Sequence, residues 1–215
     1  MMGVKPVRHD RAVFLDPVLL PGREEVQRWA QAFASIPEAI RARIRALVSD
    51  DLRGIIGLAL ERGWIPQLCH FHLISQLQGS RGRRKRRLSN RREREAIYRL
   101  TRRALDLPEG PELRKVLKRL AHLVRQPLAA RRVRMAAREF LRRREHFRAY
   151  RRYPELDLPT TTGAVEAMGH IVRALMHRLR NVRTPQALRL WATALIRLRP
   201  EVRCNGKSFQ PNRFV

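Results

Sequence analysis

The sequence is poor in cysteine, with only Cys69 and Cys204 among its 215 residues. Two cysteines cannot build a disulfide framework, so we expect a protein of a reducing compartment. Apolar runs are short as well, and none approaches the ~18 residues of a membrane-spanning helix. Residues 1–10 lack the apolar stretch of a secretory signal. These absences predict a cytoplasmic protein that does not span a membrane.

Three common catalytic motifs are absent from the sequence. It contains no Gly-rich phosphate-binding loop, no Gly-x-Ser-x-Gly elbow and no His-Glu-x-x-His helix. Nucleotide hydrolases, esterases and zinc proteases are therefore excluded.

Acidic residues are scarce relative to basic ones. The chain has 47 Lys and Arg against 19 Asp and Glu, for a formal net charge of +28 and a pI near 11.8. Self-repulsion at this charge would be relieved by a polyanion. We expect nucleic acid as the partner, with an anionic membrane as the competing polyanion. Hydrophobic residues make up 44% of the chain, enough for a folded core rather than a disordered basic tail.

Short apolar runs alternate with helical spacing in residues 1–78, which predicts an α/β arrangement. The strand-like runs are 11–20, 46–48 and 65–71, and the helical stretches are 23–33, 37–45, 52–62 and 72–78. Gly63 stands where a helix-ending glycine is expected.

The chain becomes basic from residue 79 to 158, and its apolar residues recur there at helical spacing. We predict an all-helical block with helices at 93–105, 111–125 and 128–150. Further helices are predicted at about 163–179 and at 185–198, followed by a polar tail at 201–215. The predicted class is a helix-dominated α/β protein with few strands.

A dense basic cluster lies near the start of the helical block. It consists of Arg81, Arg83, Arg84, Lys85, Arg86, Arg87, Arg91 and Arg92. Few acidic residues lie beside it, so we favour contact with a nucleic-acid backbone over a solvated basic loop. Such contacts depend steeply on salt and do not read base sequence.

Glu166 lies near the start of the helix predicted at about 163–179, and Arg173 and Arg180 share its helix face. With Gly163 as N-cap, Glu166 would occupy N3, where negative charge favours the helix dipole. The same carboxylate, followed by a basic track, would also suit chemistry on a phosphodiester. Glu166 alone favours helix capping over catalysis.

Asp50 and Asp51 follow a strand-like run and precede the helix predicted at 52–62. One interpretation is N-capping of that helix, for which one aspartate is sufficient. The other is a metal ligand, because α/β sheets bind ligands beyond the carboxyl ends of parallel strands. The pattern leaves both interpretations open.

Cys69, His70 and His72 are residue types that bind zinc. Tetrahedral zinc sites use four ligands in recognisable pairs, and Cys204 has no histidine at ligand spacing. We therefore favour buried side chains that brace the end of a strand over a zinc site.

Three segments occur in a specific order in the chain: Val48-Ser49-Asp50, then Cys69-His70-Phe71-His72, then Thr161-Thr162-Gly163-Ala164-Val165-Glu166. This set resembles the bacterial DDE transposases of the mutator-like superfamily. The resemblance implies an RNase H-like fold with an all-helical insertion between the second and third acidic residues. On this basis residues 1–78 form a partial catalytic core, 79–158 the basic insertion, and 159–200 the C-terminal core helices.

The resemblance also implies roles for individual residues. Asp50 and Glu166 would be the second and third catalytic acids and metal ligands, and Cys69 and His72 the supporting Cys-x-x-His pair. Two Mg²⁺ (or Mn²⁺) ions would serve DNA cleavage and strand transfer in the intact enzyme. The basic cluster, Arg173 and Arg180 would bind DNA, namely transposon ends and target. A homo-oligomer associated with the nucleoid is expected.

The first catalytic aspartate of the family lies on its first strand, with two strands and a helix before the second. Here one strand-like run precedes the helix at 23–33, and Asp10 and Asp16 stand only at its two ends. We therefore expect the C-terminal part of such an enzyme, with little strand transfer by itself. The alternative is a non-catalytic basic nucleic-acid-binding protein, or a regulator derived from a transposable element, in which Asp50 and Glu166 cap helices.

Overall fold

Short strands alternate with helices in the first third of the chain, and helices dominate the rest. The structure is a computed structural model that describes residues 1–79, 91–126, 131–178 and 184–204. Its strands are β1 (Gly3–Val4), β2 (Arg11–Phe14), β3 (Ala46–Ser49), β4 (Ile65–Leu68) and β5 (Glu201–Arg203). Its helices are α1 (Val26–Ala34), α2 (Glu38–Arg41), α3 (Ile55–Glu61), α4 (His70–Gly79), α5 (Arg91–Asp106), α6 (Pro111–Arg125), α7 (Arg131–Arg142), α8 (Arg144–Phe147), α9 (Ala149–Arg152), α10 (Gly163–Arg178) and α11 (Pro185–Leu198). The predicted helix-dominated α/β class is confirmed.

β3 and β4 form a parallel two-stranded sheet in which Ser49 lies opposite Leu68. Parallel neighbours need a crossover connection, and α3 supplies it. Gly63 follows the C-cap of α3 with a φ of +69°, a left-handed conformation that favours glycine. The helix packs into an apolar cluster that includes Phe33 and Trp64. The predicted glycine stop is confirmed, but α3 begins three residues later than predicted, and β4 ends at Leu68 rather than at residue 71.

A separate antiparallel sheet has the strand order β1-β2-β5. β2 is its middle strand, and Ala12 of β2 lies opposite Val202 of β5. The buried face of β2, Ala12 and Phe14, packs against Met168 of α10 and Ile196 of α11. The two C-terminal helices are thus held on the sheet formed by the N-terminal strands.

The strand predicted at 11–20 ends at Phe14, ahead of the Asp16-Pro17 dipeptide. Proline has no backbone N–H to donate, so it interrupts a ladder. β1 and β5 have two and three residues, too few to show the alternation by which a strand is recognised. β5 lies within the segment that the sequence predicted as a polar tail.

Helices α5, α6 and α7 pack on one another and on α4, in a core that includes Leu77 and Phe140. The buried residues of α6 form a stripe at intervals of three or four, namely Leu113, Val116, Leu120 and Val124. Among the described residues, no helix combines the length and apolar character that crossing a membrane requires. The apolar stripes of this block face the protein interior instead.

The helix predicted at 128–150 is not continuous, because α7, α8 and α9 are separated by non-helical backbone at Arg143 and Arg148. The buried Arg148 guanidinium donates hydrogen bonds to the carbonyl oxygens of Ala104, Leu105 and Leu107 at the end of α5. Carbonyls at a helix C-terminus lack intrahelical donors, so this cation satisfies them. Helix propensity could not reveal the break, since a tertiary contact accompanies it.

The burial of Leu120 predicts its contribution to stability. The residue is 0% exposed, whereas Leu190 of α11 is 71% exposed. Leu120→Ala should lower the free energy of unfolding by about 2–5 kcal/mol, and Leu190→Ala by less than about 0.5 kcal/mol. Urea unfolding followed by circular dichroism measures both. Equal losses in the two variants would show that α6 is not packed as described.

Candidate functional site

The parallel pairing of β3 and β4 brings two predicted site residues to one edge of the sheet. The Cys69 backbone N–H donates to the Ser49 carbonyl oxygen at 2.8 Å, continuing the ladder. Asp50 and Cys69 are therefore the residues at which the chain leaves the two adjacent strands. The carboxyl ends of parallel strands are where α/β proteins place their ligands.

A threonine-rich segment docks on this edge and carries the start of α10 with it. The His70 backbone N–H donates to the Thr160 carbonyl oxygen at 2.8 Å. The Thr162 backbone N–H donates to Cys69 Sγ at 3.4 Å. The first turn of α10, which contains Glu166, is thereby fixed beside the end of β4.

Cys69, His72 and Glu166 form a compact group of potential ligands. Their ligand atoms all lie within 4.8 Å of one another. His72 Nδ1 is 3.9 Å from Glu166 Oε1, and the Thr162 hydroxyl donates to the same Oε1 at 2.6 Å. Nδ1 of His72 is buried and has no hydrogen-bond partner in the described part of the chain. The structure thus joins both residues of the predicted supporting pair to one of the predicted catalytic acids.

Asp50 lies outside this three-residue group but in the same electrostatic environment. Burial raises the pKa of Asp50, and the negative charges of Glu24, Asp51 and Glu166 raise it further, whereas His72 lowers it. Asp50 follows β3, and the first turn of α10 with Glu166 is held beside the end of β4, so both residues lie at the same end of the parallel strand pair. That they share a metal ion stays a prediction.

The capping interpretation of the two aspartates is wrong. α3 begins at Ile55, and its N-cap is Gly54 with a φ of +86°, so no aspartate side chain caps it. Asp51 instead forms an ion pair with Arg143, which adjoins α7 and α8. Asp50 is therefore free of any helix-capping role.

The capping interpretation of Glu166 also needs correction. α10 begins at Gly163, so Glu166 is its fourth residue, and its backbone N–H donates to the Thr162 carbonyl oxygen. The hydrogen bond to its carboxylate comes from the Thr162 hydroxyl rather than from a backbone N–H. A negative charge in the first helical turn still favours the helix dipole. The carboxylate nevertheless faces Cys69 and His72 rather than its own backbone.

His70 differs from its two neighbours in the motif. Its Nε2 lies 2.6 Å from the Phe147 carbonyl oxygen, and burial lowers the pKa of the ring. The buried Gln67 side chain also bonds to Phe147, and it accepts from the Tyr150 backbone N–H. His70 therefore braces the end of β4 against the helical block, as predicted for a buried histidine at this position.

Three of the ten predicted DNA-binding residues belong to the part of the chain that the structure describes. Residues Arg81, Arg83, Arg84, Lys85, Arg86, Arg87 and Arg180 lie outside the described residues. Arg91 and Arg92 begin α5 and are exposed, and Arg173 is exposed on α10. These three side chains remain available for contact with phosphate.

Two residues of the site had no role assigned from the sequence, although Thr162 stood in the segment that ends at Glu166. Thr162 links Cys69 to Glu166, and its position four residues before Glu166, one helical turn away, was the available signal. Glu24 adds a further negative charge near Asp50, and it accepts a hydrogen bond from the Trp29 indole. No local pattern points to Glu24, because it reaches the site through the fold.

The raised pKa of Asp50 predicts how stability depends on pH. The folded state holds the Asp50 proton more tightly than the unfolded state, so ionised Asp50 destabilises the fold above the ordinary aspartate pKa. Asp50→Asn should therefore raise the melting temperature at about pH 7 and have little effect at about pH 3. Asp51→Asn, which loses the ion pair with Arg143, should lower it at neutral pH. A pH-independent effect of Asp50→Asn would contradict the burial of this carboxylate.

Comparison with known proteins gives no match. No family model matches the chain, and neither a curated protein nor a solved structure is detectably similar to it. The residues at the ends of β3 and β4 are therefore the features of this chain that indicate a function.

Proposed function

We propose that this chain is part of a DDE transposase, an enzyme that cleaves DNA and transfers its strands with divalent metal ions. The observation that carries the proposal is the placement of Glu166, from a distant part of the sequence, beside Cys69 and His72 at the end of β4, the parallel neighbour of the strand that Asp50 follows. The finer fold belongs to the same proposal: a partial RNase H-like core at 1–78 and 159–200, with 79–158 as a helical insertion.

The donor set suits a hard divalent cation at the carboxylates. Mg²⁺ and Mn²⁺ prefer oxygen ligands, and Asp50 and Glu166 each offer a carboxylate. Burial raises the pKa of Asp50 and the charge of Glu166 raises it further, so a bound cation would favour the ionised carboxylates. Asp50 and Glu166 would hold such ions, and the chemistry that two ions would supply is activation of a water or 3′-hydroxyl and stabilisation of the leaving oxygen. The Thr162 hydroxyl holds Glu166 Oε1 in a fixed orientation.

The third carboxylate of a DDE site is not supplied by either N-terminal aspartate. Asp10 pairs with Arg203 and Asp16 with Arg197, both at the antiparallel sheet. The remaining acids whose charges act on Asp50 are Glu24 and Asp51. We therefore expect little strand transfer from this chain by itself, and a complete site only when a further acid is provided.

The surface charge supports DNA as the substrate. The formal net charge of +28 and the exposed Arg91, Arg92 and Arg173 favour contact with phosphates. Contacts of this kind position a duplex without reading its bases. Sequence-independent contacts with the DNA backbone are compatible with a site that acts on phosphodiesters.

A non-catalytic nucleic-acid-binding protein is the second candidate, and the same net charge favours it. Both candidates predict salt-sensitive DNA binding. They differ in their response to divalent metal ions, since a non-catalytic binding protein needs no metal ion at Asp50 and Glu166.

Mn²⁺ binding tests the proposed catalytic pair. Asp50→Asn and Glu166→Gln should each weaken Mn²⁺ binding, measured by electron paramagnetic resonance of the free ion, by at least about tenfold. Asp51→Asn is the matched control, because the Asp51 carboxylate is engaged by Arg143, and it should bind Mn²⁺ like the unmodified chain. Equal Mn²⁺ affinities in the unmodified chain and in all three variants would contradict the catalytic proposal. The non-catalytic nucleic-acid-binding protein would then be the remaining candidate.

A further inference from the structure

We propose that Cys69, His72 and Glu166 form a binding site for a single Zn²⁺ ion. The site shares Glu166 with the proposed catalytic pair, but it does not depend on catalysis. It would fasten the first turn of α10 to the end of β4 and the first turn of α4. β4 and α4 are consecutive in the chain, whereas α10 begins at Gly163, so one ion would connect the end of β4 to a distant part of the sequence.

The spacing of the three ligand atoms fits a tetrahedral ion after small movements. Zn²⁺ bonds of about 2.0–2.3 Å separate neighbouring ligand atoms by roughly 3.4–3.6 Å. His72 Nδ1 and Glu166 Oε1 are 3.9 Å apart, and all three ligand atoms lie within 4.8 Å. Shifts of roughly 0.5–1.5 Å would therefore bring them to bonding separations, which side-chain rotations can provide.

His72 supplies an independent indication of a ligand. Its Nδ1 is buried, points toward Glu166 and has no hydrogen-bond partner among the described residues. A buried polar atom without a partner costs free energy, so such atoms usually face a water or an ion. A zinc ion at the centre of the group would satisfy this nitrogen.

The chemistry of the three ligands selects zinc over magnesium. Thiolate and imidazole are soft or borderline ligands that suit Zn²⁺, whereas Mg²⁺ demands oxygen ligands in octahedral geometry. One thiolate and one carboxylate also neutralise the two positive charges of the ion, which favours a partly buried site. Three protein ligands leave a fourth position for water, as in zinc sites that remain open.

Thr162 provides the outer shell that metal sites require. Its hydroxyl donates to Glu166 Oε1 at 2.6 Å, and its backbone N–H donates to Cys69 Sγ at 3.4 Å. These two hydrogen bonds hold the carboxylate oxygen and the sulfur in fixed positions, as outer-shell partners of metal ligands do. A pocket lined by Asp51, Cys69 and His72, among other residues, adjoins the group, and the His72 and Glu166 side chains are 39% and 42% exposed. An ion can therefore reach the site from solvent.

Titration of the metal-free full chain with Co²⁺ tests this proposal, because Co²⁺ reports its own ligands spectroscopically. One equivalent should produce the visible bands of a tetrahedral site and a near-ultraviolet thiolate-to-cobalt band, both displaced by Zn²⁺. Cys69→Ser should abolish the thiolate band. It should weaken Zn²⁺ binding at least ~100-fold, the upper end of what disturbing even an outer-shell partner costs.

Cys204→Ser is the matched control, since Cys204 lies in the separate cluster with Ala12 and Phe14. It should retain the full thiolate band. His72→Gln and Glu166→Gln should each weaken Zn²⁺ binding. Far-ultraviolet circular dichroism of every variant is the control for folding. The proposal is overturned by sub-stoichiometric Co²⁺ binding, by a thiolate band that survives Cys69→Ser, or by Zn²⁺ affinity that is unchanged in Glu166→Gln.

Asp50→Asn separates this proposal from the catalytic one. It removes no zinc ligand, so the Co²⁺ spectrum should persist while Mn²⁺ binding at the acidic pair is lost. Loss of Zn²⁺ binding in Cys69→Ser with Mn²⁺ binding insensitive to Asp50→Asn would support the zinc site and reject the catalytic pair. Zn²⁺ binding that is unchanged in Cys69→Ser, together with Mn²⁺ binding that is weakened in Asp50→Asn, would reject the zinc site alone.

Discussion

The docking of the Thr160–Thr162 segment on the end of β4 is the constraint on which the site depends. Two backbone hydrogen bonds hold it, from the His70 N–H to the Thr160 carbonyl oxygen and from the Thr162 N–H to Cys69 Sγ. Without them Glu166, at the start of α10, would have no reason to lie near residues almost a hundred positions earlier. The ligand group around His72 and the charge that Glu166 adds near Asp50 both follow from this contact.

The parts of the fold that the sequence predicted are those determined by local pattern. α6 and α11 were located to the residue, because their apolar stripes begin at a proline that suits the first helical turn. The stop of α3 was predicted for a similarly local reason, because Gly63 follows the C-cap of that helix. The strands β1 and β5 and the break at Arg148 were not predictable, because pairing across the chain and a buried guanidinium determine them.

The sequence pointed to the residues of the candidate site, but it did not indicate which of them lie together. Ordered motifs identified Asp50, Cys69, His72 and Glu166. The sequence divided them into two acids and a supporting pair, and it rejected zinc because Cys69 had no nearby ligands beyond the histidines. A count of local ligands could not include Glu166, which reaches Cys69 and His72 only through the fold. The net charge of +28 predicted nucleic acid as the partner, but it could not indicate which reaction the site would perform.

Cross-linking through Thr162 tests the docking of α10 most directly. A Thr162→Cys variant would place a second thiol beside Cys69, whose sulfur lies 3.3 Å from the Thr162 hydroxyl oxygen. We predict rapid formation of an intramolecular disulfide under mild oxidation, detected by mass spectrometry of proteolytic fragments, and little in Thr161→Cys as a control. Failure of the folded Thr162→Cys variant to cross-link with Cys69 would contradict the arrangement from which the site and its proposed functions are derived.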